Sequence, residues 1–81
     1  MEQFDNIERQ IRKIIAEALQ VDEEKIHKDS TIEDLGGDSL HALMLISTLE
    51  THFNISITDE NAITIKSFGA AASAVKRLMS S

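Results

Sequence analysis

The chain has 81 residues, with 8 Lys and Arg against 14 Asp and Glu, a formal net charge of -6 and no cysteine. This length predicts a single small domain over residues 1–81, and the lack of cysteine excludes disulfides and thiolate metal sites, so apolar packing must hold the fold together. The acidic balance and the absence of a basic run argue against nucleic-acid binding and against attraction to anionic membranes.

The first predicted element is an amphipathic helix over about residues 2–20. Its apolar residues recur at three- and four-residue steps, with charged residues between them. They are Phe4, Ile7, Ile11, Ile14, Ile15, Ala18 and Leu19. The start of the chain lacks the basic residues and apolar run of a signal peptide, and the longest apolar run, residues 42–46, is too short to span a membrane. We therefore expect a cytoplasmic protein without membrane insertion.

A polar segment over residues 21–38 follows, without sustained periodicity. Four spaced apolar residues predict an ordered loop that is pinned to the helices; they are Val21, Ile26, Ile32 and Leu35. Ser30 and Glu33 have the spacing of a capping box, which predicts one short turn. Gly36 and Gly37 give the backbone freedom to reverse before the next helix.

The second helix is predicted over residues 39–53, with Asp38 as its N-cap. One stripe should face the core; it consists of Ala42, Leu45, Ile46, Leu49 and Phe53. Leu40, Leu43, Met44 and Ser47 lie largely on another face. A small monomer does not normally leave such an apolar patch bare, so this second face indicates a binding surface.

The remaining pattern predicts a short segment over residues 54–58, a brief third helix over residues 59–63, and a last helix capped by Thr64 or Ser67. The inner stripe of the last helix is predicted to be Ile65, Phe68, Ala71, Ala72, Val75, Leu78 and Met79. The predicted fold is therefore all-α: a four-helix bundle of three longer helices and one short helix.

Ser39 stands at the start of the second helix, within Asp34-Leu35-Gly36-Gly37-Asp38-Ser39-Leu40. The first N–H groups of a helix lack internal partners, so a phosphate on this serine would be favourably placed. As a nucleophile Ser39 has little support: a Gly-x-Ser-x-Gly elbow is absent, and His41, two positions away, points to another face. The histidines His27, His41 and His52 also lack the spacing of a helical metal pair. We expect neither a metal site nor an active site of the chain's own.

The segment from Leu35 to Leu40 resembles the attachment site of the acyl carrier and peptidyl carrier proteins, in which Asp-Ser-Leu follows Leu-Gly-Ala or Leu-Gly-Gly. The resemblance extends over nearly the whole chain through the order of its helices. It implies a bundle of acyl carrier type with 4′-phosphopantetheine attached covalently to Ser39, and with Gly37, Asp38 and Leu40 beside the cofactor. It also implies three kinds of partner: a phosphopantetheinyl transferase, a ligase that activates acyl or aminoacyl groups, and the synthases or transferases of a pathway.

The partner-binding residues implied by the resemblance are Leu40, His41, Leu43, Met44 and Glu50. Carriers of bacterial fatty-acid synthesis typically have many acidic residues on this helix, whereas here Glu50 is the only carboxylate over residues 39–53. Docking should therefore rely on apolar burial more than on charge, which favours a specialised pathway. The core residues Ile15, Ala42, Ile46, Phe53, Ile63, Ala71 and Ala72 either shelter an acyl chain or are packed solid.

The predicted function is that of a free-standing, monomeric acyl carrier that holds acyl groups as thioesters in fatty-acid, polyketide or related biosynthesis. It is not expected to be an enzyme. One alternative is a carrier of aminoacyl or peptidyl groups such as D-alanine. The Gly36-Gly37 pair resembles peptidyl or polyketide carriers more than the Gly-Ala of most fatty-acid carriers. A more distant alternative is a helical adaptor that binds partners through Leu40, Leu43 and Met44 and carries nothing on Ser39. Replacing Ser39 with alanine should cost only about 1 kcal/mol of stability, as for a lost cap.

Overall fold

A computed structural model describes residues 4–80. Its helices are α1 (Asn6–Leu19), α2 (Ser39–Phe53), the short α3 (Asp59–Thr64) and α4 (Phe68–Met79), and a single 3₁₀ turn covers Glu23–Lys25. No strand occurs in this part of the chain, where the only sheet-like pairing is an isolated bridge between Thr31 and Ser67. The all-α bundle of three longer helices and one short helix is confirmed. No helix between residues 4 and 80 is long and apolar enough to cross a membrane.

The first helix begins later than the sequence pattern predicts. Asp5 is its N-cap: the carboxylate accepts the backbone N–H of Glu8 at 2.8 Å, and the Glu8 carboxylate accepts the backbone N–H of Asp5 at 3.0 Å. This reciprocal pair fixes the start at Asn6, so Phe4 and Asp5 are not helical, contrary to the prediction. Residues 2 and 3, where the prediction began, lie outside the described residues. Phe4 lies before the helix, and the centroid of its ring is 5.5 Å from the centroid of the Phe68 ring.

The long connection between α1 and α2 is ordered, as predicted. Ile26 is fully buried in the core, and Val21, Ile32 and Leu35 pack against it. The reciprocal turn closes one residue later than predicted: the Asp34 carboxylate accepts the N–H of Thr31, and the Thr31 hydroxyl accepts the N–H of Asp34, at 3.2 and 3.0 Å. Ser30 instead accepts the N–H of His27, at 2.9 Å.

The core lies where α1, α2 and α4 meet. Its buried apolar residues are Ile11, Ile15, Ala16, Ile26, Leu45, Leu49, Ile65, Phe68, Ala71, Ala72, Ala74 and Val75. The small residues of α4 let its backbone approach the loop closely, and the backbone N–H of Gly69 donates to the Lys28 carbonyl at 2.8 Å. A Cβ on Gly69 would lie 2.7 Å from that carbonyl oxygen, so this position has no room for a side chain.

Of the two residues predicted to cap α4, Ser67 is the one in the structure: its hydroxyl accepts the N–H of Ala70 at 3.2 Å. Three other predictions for the second half of the chain need correction. Ile65 is buried but precedes α4. The prediction that Ile63 lines the core is wrong: it is 69% exposed, because the short α3 lies on the surface. Met79 is 47% exposed rather than part of the inner stripe, since it is the last residue of α4.

An ion cluster joins the two ends of the described chain. The Lys76 ammonium, in the last turns of α4, contacts the Asp5 carboxylate and lies 3.6 Å from the Glu8 carboxylate, which also lies 3.6 Å from Lys28. The Lys76 side chain, and next the backbone N–H of Glu8, hold the pKa of the Asp5 carboxyl below its ordinary value of 3.8. Asp5 in turn raises the pKa of Lys76 above 10.5.

Replacing Lys76 with methionine is expected to lower stability at neutral pH and to flatten its dependence on pH. A lowered carboxyl pKa stabilises the fold above the unfolded value near 3.8, and this contribution is lost as the pH falls through the folded pKa. A raised lysine pKa stabilises the fold below 10.5, and this contribution is lost as the pH rises through the folded pKa. Urea midpoints in acid, neutral and alkaline buffers measure both effects. Lys13→Met, the same charge change on an exposed site, is the control, and identical profiles for the two variants would contradict the assignment.

Candidate functional site

The start of α2 is organised by Asp38. Its carboxylate oxygen Oδ1 accepts the backbone N–H groups of Leu40 and His41, at 3.0 and 3.2 Å, which confirms the predicted N-cap. The backbone N–H of His41, and next its side chain, hold the pKa of the Asp38 carboxyl below its ordinary value, so the cap is ionised at neutral pH. Ser39 is therefore the first residue of the helix, with its side chain exposed.

His41 completes the cap. Its ring nitrogen Nδ1 lies 3.2 Å from the backbone nitrogen of Asp38 and 3.0 Å from Asp38 Oδ1. A neutral ring accepts the backbone N–H through Nδ1, whereas a protonated ring donates from Nδ1 to the carboxylate. In either state the ring is paired with Asp38 and steadies the turn that presents Ser39.

The two glycines before Asp38 serve different needs. Gly36 has φ +86°, in the left-handed region that favours glycine. Gly37 does not have a positive φ, but a Cβ there would lie 2.6 Å from Ile32 Cγ2 and 2.7 Å from Leu19 Cδ2. The pair therefore lets the chain reverse and then pass close to the loop and the end of α1.

A groove of about 570 Å³ opens beside Ser39. We call it the Ser39 groove, and its lining is Thr31, Ile32, Glu33, Gly37, Asp38, Ser39, Ala42, Ile65 and Lys66. This volume is within the range of about 300–1,000 Å³ that is typical of small-molecule sites. Its lining includes the apolar residues Ile32, Ala42 and Ile65, whereas the charged residues Glu33, Asp38 and Lys66 are exposed.

Two parts of this groove, the loop at residues 31–33 and the α3–α4 connection at residues 65–66, have no sequence signal that relates them to Ser39. Residues 31–33 and 65–66 are far apart in sequence and carry no local motif that links them. They come together because the Thr31–Ser67 bridge and the hydrogen bond from Ile32 N–H to the Lys66 carbonyl, at 3.3 Å, join the loop to the start of α4.

The second face of α2 is exposed as predicted. Leu40, Leu43 and Met44 have exposed fractions of 69%, 64% and 57%, and Ser47 is also exposed. Glu50, the only carboxylate of this helix, accepts the backbone N–H of Ile57 at 2.9 Å and so fastens the α2–α3 connection. The exposed face of α2 is therefore apolar, with no carboxylate beyond one that the fold already uses.

Metal binding has no candidate in the described part of the chain. Residues 4–80 contain no group of three or more His, Asp or Glu side chains that could hold an ion.

Comparison with known proteins identifies the family. The family model described as "Phosphopantetheine attachment site" matches residues 9–75, a span that includes all four helices except the ends of α1 and α4. The chain is 44% identical over 73 residues to the acyl carrier protein of Buchnera aphidicola subsp. Baizongia pistaciae (strain Bp), covering 89% of this chain and 94% of the relative. The chain belongs to the acyl carrier protein family. It is also 52% identical over 58 residues to the acyl carrier protein of Buchnera aphidicola subsp. Acyrthosiphon pisum (strain Tuc7), covering 70% of this chain and 72% of the relative.

Membership of the acyl carrier protein family gives the chain its cofactor, covalently attached 4′-phosphopantetheine, and the role of a carrier that works with biosynthetic enzymes. This role replaces the alternative of a helical adaptor that carries nothing. The residues present fit the group, because an exposed serine hydroxyl at a rigid helix start adjoins a groove large enough for a small molecule.

Proposed function

We propose that Ser39 is the attachment residue and that the chain is a free-standing acyl carrier in fatty-acid, polyketide or related specialised biosynthesis. The observation that carries the proposal is the position of Ser39, exposed at the first residue of α2 and on the rim of the Ser39 groove. The family match supports it, since the matched span of residues 9–75 contains this serine.

In this proposal the residues of the chain position the reactive group, and partner enzymes do the chemistry. The phosphopantetheine thiol supplies the reactivity by holding an acyl group as a thioester. Asp38 and His41 fix the turn, Gly37 allows its close packing, and Ser39 offers its hydroxyl to a phosphopantetheinyl transferase. Leu40 lies next to the attachment point and is open to partners. We propose that the chain itself is not an enzyme. Its cytoplasmic location and its monomeric state remain predictions.

The proposal is tested by incubating the wild-type protein with coenzyme A, magnesium and a promiscuous phosphopantetheinyl transferase. Intact mass should increase by one phosphopantetheine, and proteolysis with fragment mass analysis should locate the addition on Ser39. An addition on another serine would contradict the assignment of the residue, and no addition at all would contradict the carrier function.

The exposed face of α2 is proposed as the docking surface for synthases, transferases and ligases, with Leu40, His41, Leu43, Met44 and Glu50 as its residues. Burial of Leu43 and Met44 supplies the contact, whereas Glu50 is engaged with Ile57 and offers little further charge. Electrostatic steering should therefore be weaker than for a carrier with an acidic helix.

Binding to a fatty-acid synthase enzyme is expected to change little with salt and to depend strongly on Leu43. Leu43→Ala should weaken the affinity about tenfold, because truncating a well-buried apolar contact costs more than about 1 kcal/mol. Titration calorimetry at low and high salt measures both effects, with Ser47→Ala on the same face as control. A steep loss of wild-type affinity with added salt would refute an apolar docking surface.

A carrier of aminoacyl groups is the second candidate. The Gly36-Gly37 pair and the scarcity of carboxylates on α2 both depart from the pattern of most fatty-acid carriers, and they are as compatible with a peptidyl carrier as with a polyketide carrier. Loading assays of the modified protein with acyl-activating and with amino-acid-activating ligases separate the two: a D-alanyl or other aminoacyl thioester as the sole product would assign the aminoacyl role.

A further inference from the structure

The start of α2 offers less to an anion than its sequence indicates. Asp38 Oδ1 already accepts the N–H groups of Leu40 and His41, and the Asp38 carbonyl accepts the N–H of Ala42 at 3.1 Å. A phosphodiester on Ser39 would therefore find these donors taken and would lie beside an ionised carboxylate. Neighbouring like charges repel, so a cation close by would stabilise the loaded protein.

The lining of the Ser39 groove contains one lysine or arginine, Lys66, and two acids, Glu33 and Asp38. The backbone of Lys66 is fixed, since its carbonyl accepts the N–H of Ile32 at 3.3 Å and its own N–H donates to the Thr64 carbonyl at 3.0 Å. Its side chain is exposed, and no carboxylate among residues 4–80 lies within ion-pair distance of its ammonium. Lys66 is therefore a positioned cation that the described fold does not use.

We propose that the Lys66 ammonium is the counter-charge of the phosphodiester on Ser39 and directs the first part of the arm into the Ser39 groove. The inference rests on the proposed attachment at Ser39. The two residues line one groove, together with the apolar side chains of Ala42 and Ile65, so an arm that starts at Ser39 has this groove beside it. A lysine acts here as a compact point charge that can bind phosphate. Lys66 is thus a positioning residue, which limits the directions in which the arm leaves the protein.

The test uses the whole protein with its lysines dimethylated with carbon-13, a modification that keeps their charge. Methyl resonances are recorded before and after loading with phosphopantetheine, and intact mass verifies the loading. The Lys66 signal is the one that is missing from Lys66→Arg. It should shift on loading by more than the Lys13 signal. The difference between the Lys66 and Lys13 shifts should largely disappear when the salt concentration is raised from about 0.01 M to about 1 M, because this shortens the Debye length from about 30 Å to about 3 Å.

A matched pair of variants gives a second readout. The phosphorus-31 resonance of loaded Lys66→Met should be displaced from that of the wild type, whereas loaded Lys13→Met, which has the same net charge, should coincide with the wild type. If Lys66→Met is not loaded, the methyl measurement on the wild type decides alone. A Lys66 signal that moves no more than that of Lys13 in protein carrying the arm overturns the inference and leaves the carrier function standing. A wild type that gains no mass overturns both.

Discussion

Replacing Ser39 with alanine is expected to abolish loading completely while leaving stability within about 0.5 kcal/mol of the wild type, as for most surface substitutions. The hydroxyl is the only group of the residue that can form the bond to the arm. The structure corrects the cost of about 1 kcal/mol that a lost cap would carry, because Asp38 caps α2 and Ser39 is an exposed first-turn residue. Alanine is also the better helix former there.

Intact mass after treatment with coenzyme A and transferase measures the loading, and urea unfolding followed by circular dichroism measures stability. Ser47→Ala is the matched control, an exposed serine on the same helix that should load like the wild type. Loading of Ser39→Ala to the same extent would show that another residue carries the arm. A variant that fails to load and is also unfolded would show that Ser39 has a structural role.

Replacing Phe68 with alanine is expected to have the largest effect on stability, a loss of about 3–5 kcal/mol. The side chain is 1% exposed, at the start of α4, and its ring packs on that of Phe4. A domain of this size has a total unfolding free energy of roughly 4–12 kcal/mol, at about 0.05–0.15 kcal/mol per residue, so the variant should be partly unfolded or close to it.

Urea unfolding gives the comparison directly. Phe4→Ala, which truncates the other ring of the pair, is the control. Phe4 is only partly buried and precedes α1, so this variant should lose less unfolding free energy than Phe68→Ala. Equal losses of unfolding free energy in the two variants would mean that the Phe4–Phe68 ring contact, and not the burial of Phe68 in the core, supplies the stability.

The second helix and its cap were predictable because several local signals agree. The Gly36-Gly37 pair, the capping residue Asp38 and an apolar stripe of helical period all place the helix start at Ser39, and the structure has it there. The exposed face followed from the same periodicity, since the side chains of Leu40 and Leu43 cannot face the core when Leu45 and Leu49 do.

The local sequence pattern does not determine where α1 begins or which residues close the turn in the α1–α2 loop. Asp5 and Glu8 have the spacing of a capping box, but the apolar period includes Phe4 and so favours an earlier start for α1. Ser30–Glu33 and Thr31–Asp34 have the same spacing and nearly the same chemistry. The reciprocal bonds form at Thr31, next to the contacts that join this loop to Lys66 and Ser67.

The Ser39 groove is formed by tertiary contacts, so no local sequence pattern predicts its lysine. Lys66 follows a short helix with no buried residue, and nothing in its neighbourhood of the sequence indicates a relation to Ser39, 27 positions earlier. The exposure of Ile63 has the same origin: a helix of six residues has too little periodicity to reveal which side faces the core.

The hydrogen bond from Ile57 N–H to Glu50 has a consequence for how such a carrier can evolve or be engineered. Glu50 and His41 are half-buried residues of the proposed docking surface whose side chains also hold the fold, whereas Leu43, Met44 and Ser47 are exposed. If this face is the docking surface, as proposed, substitutions at those three positions are expected to change partner choice without compensating changes in the interior. On this proposal, Leu43, Met44 and Ser47 can be selected for partner choice independently of foldability, whereas His41 and Glu50 are constrained by both.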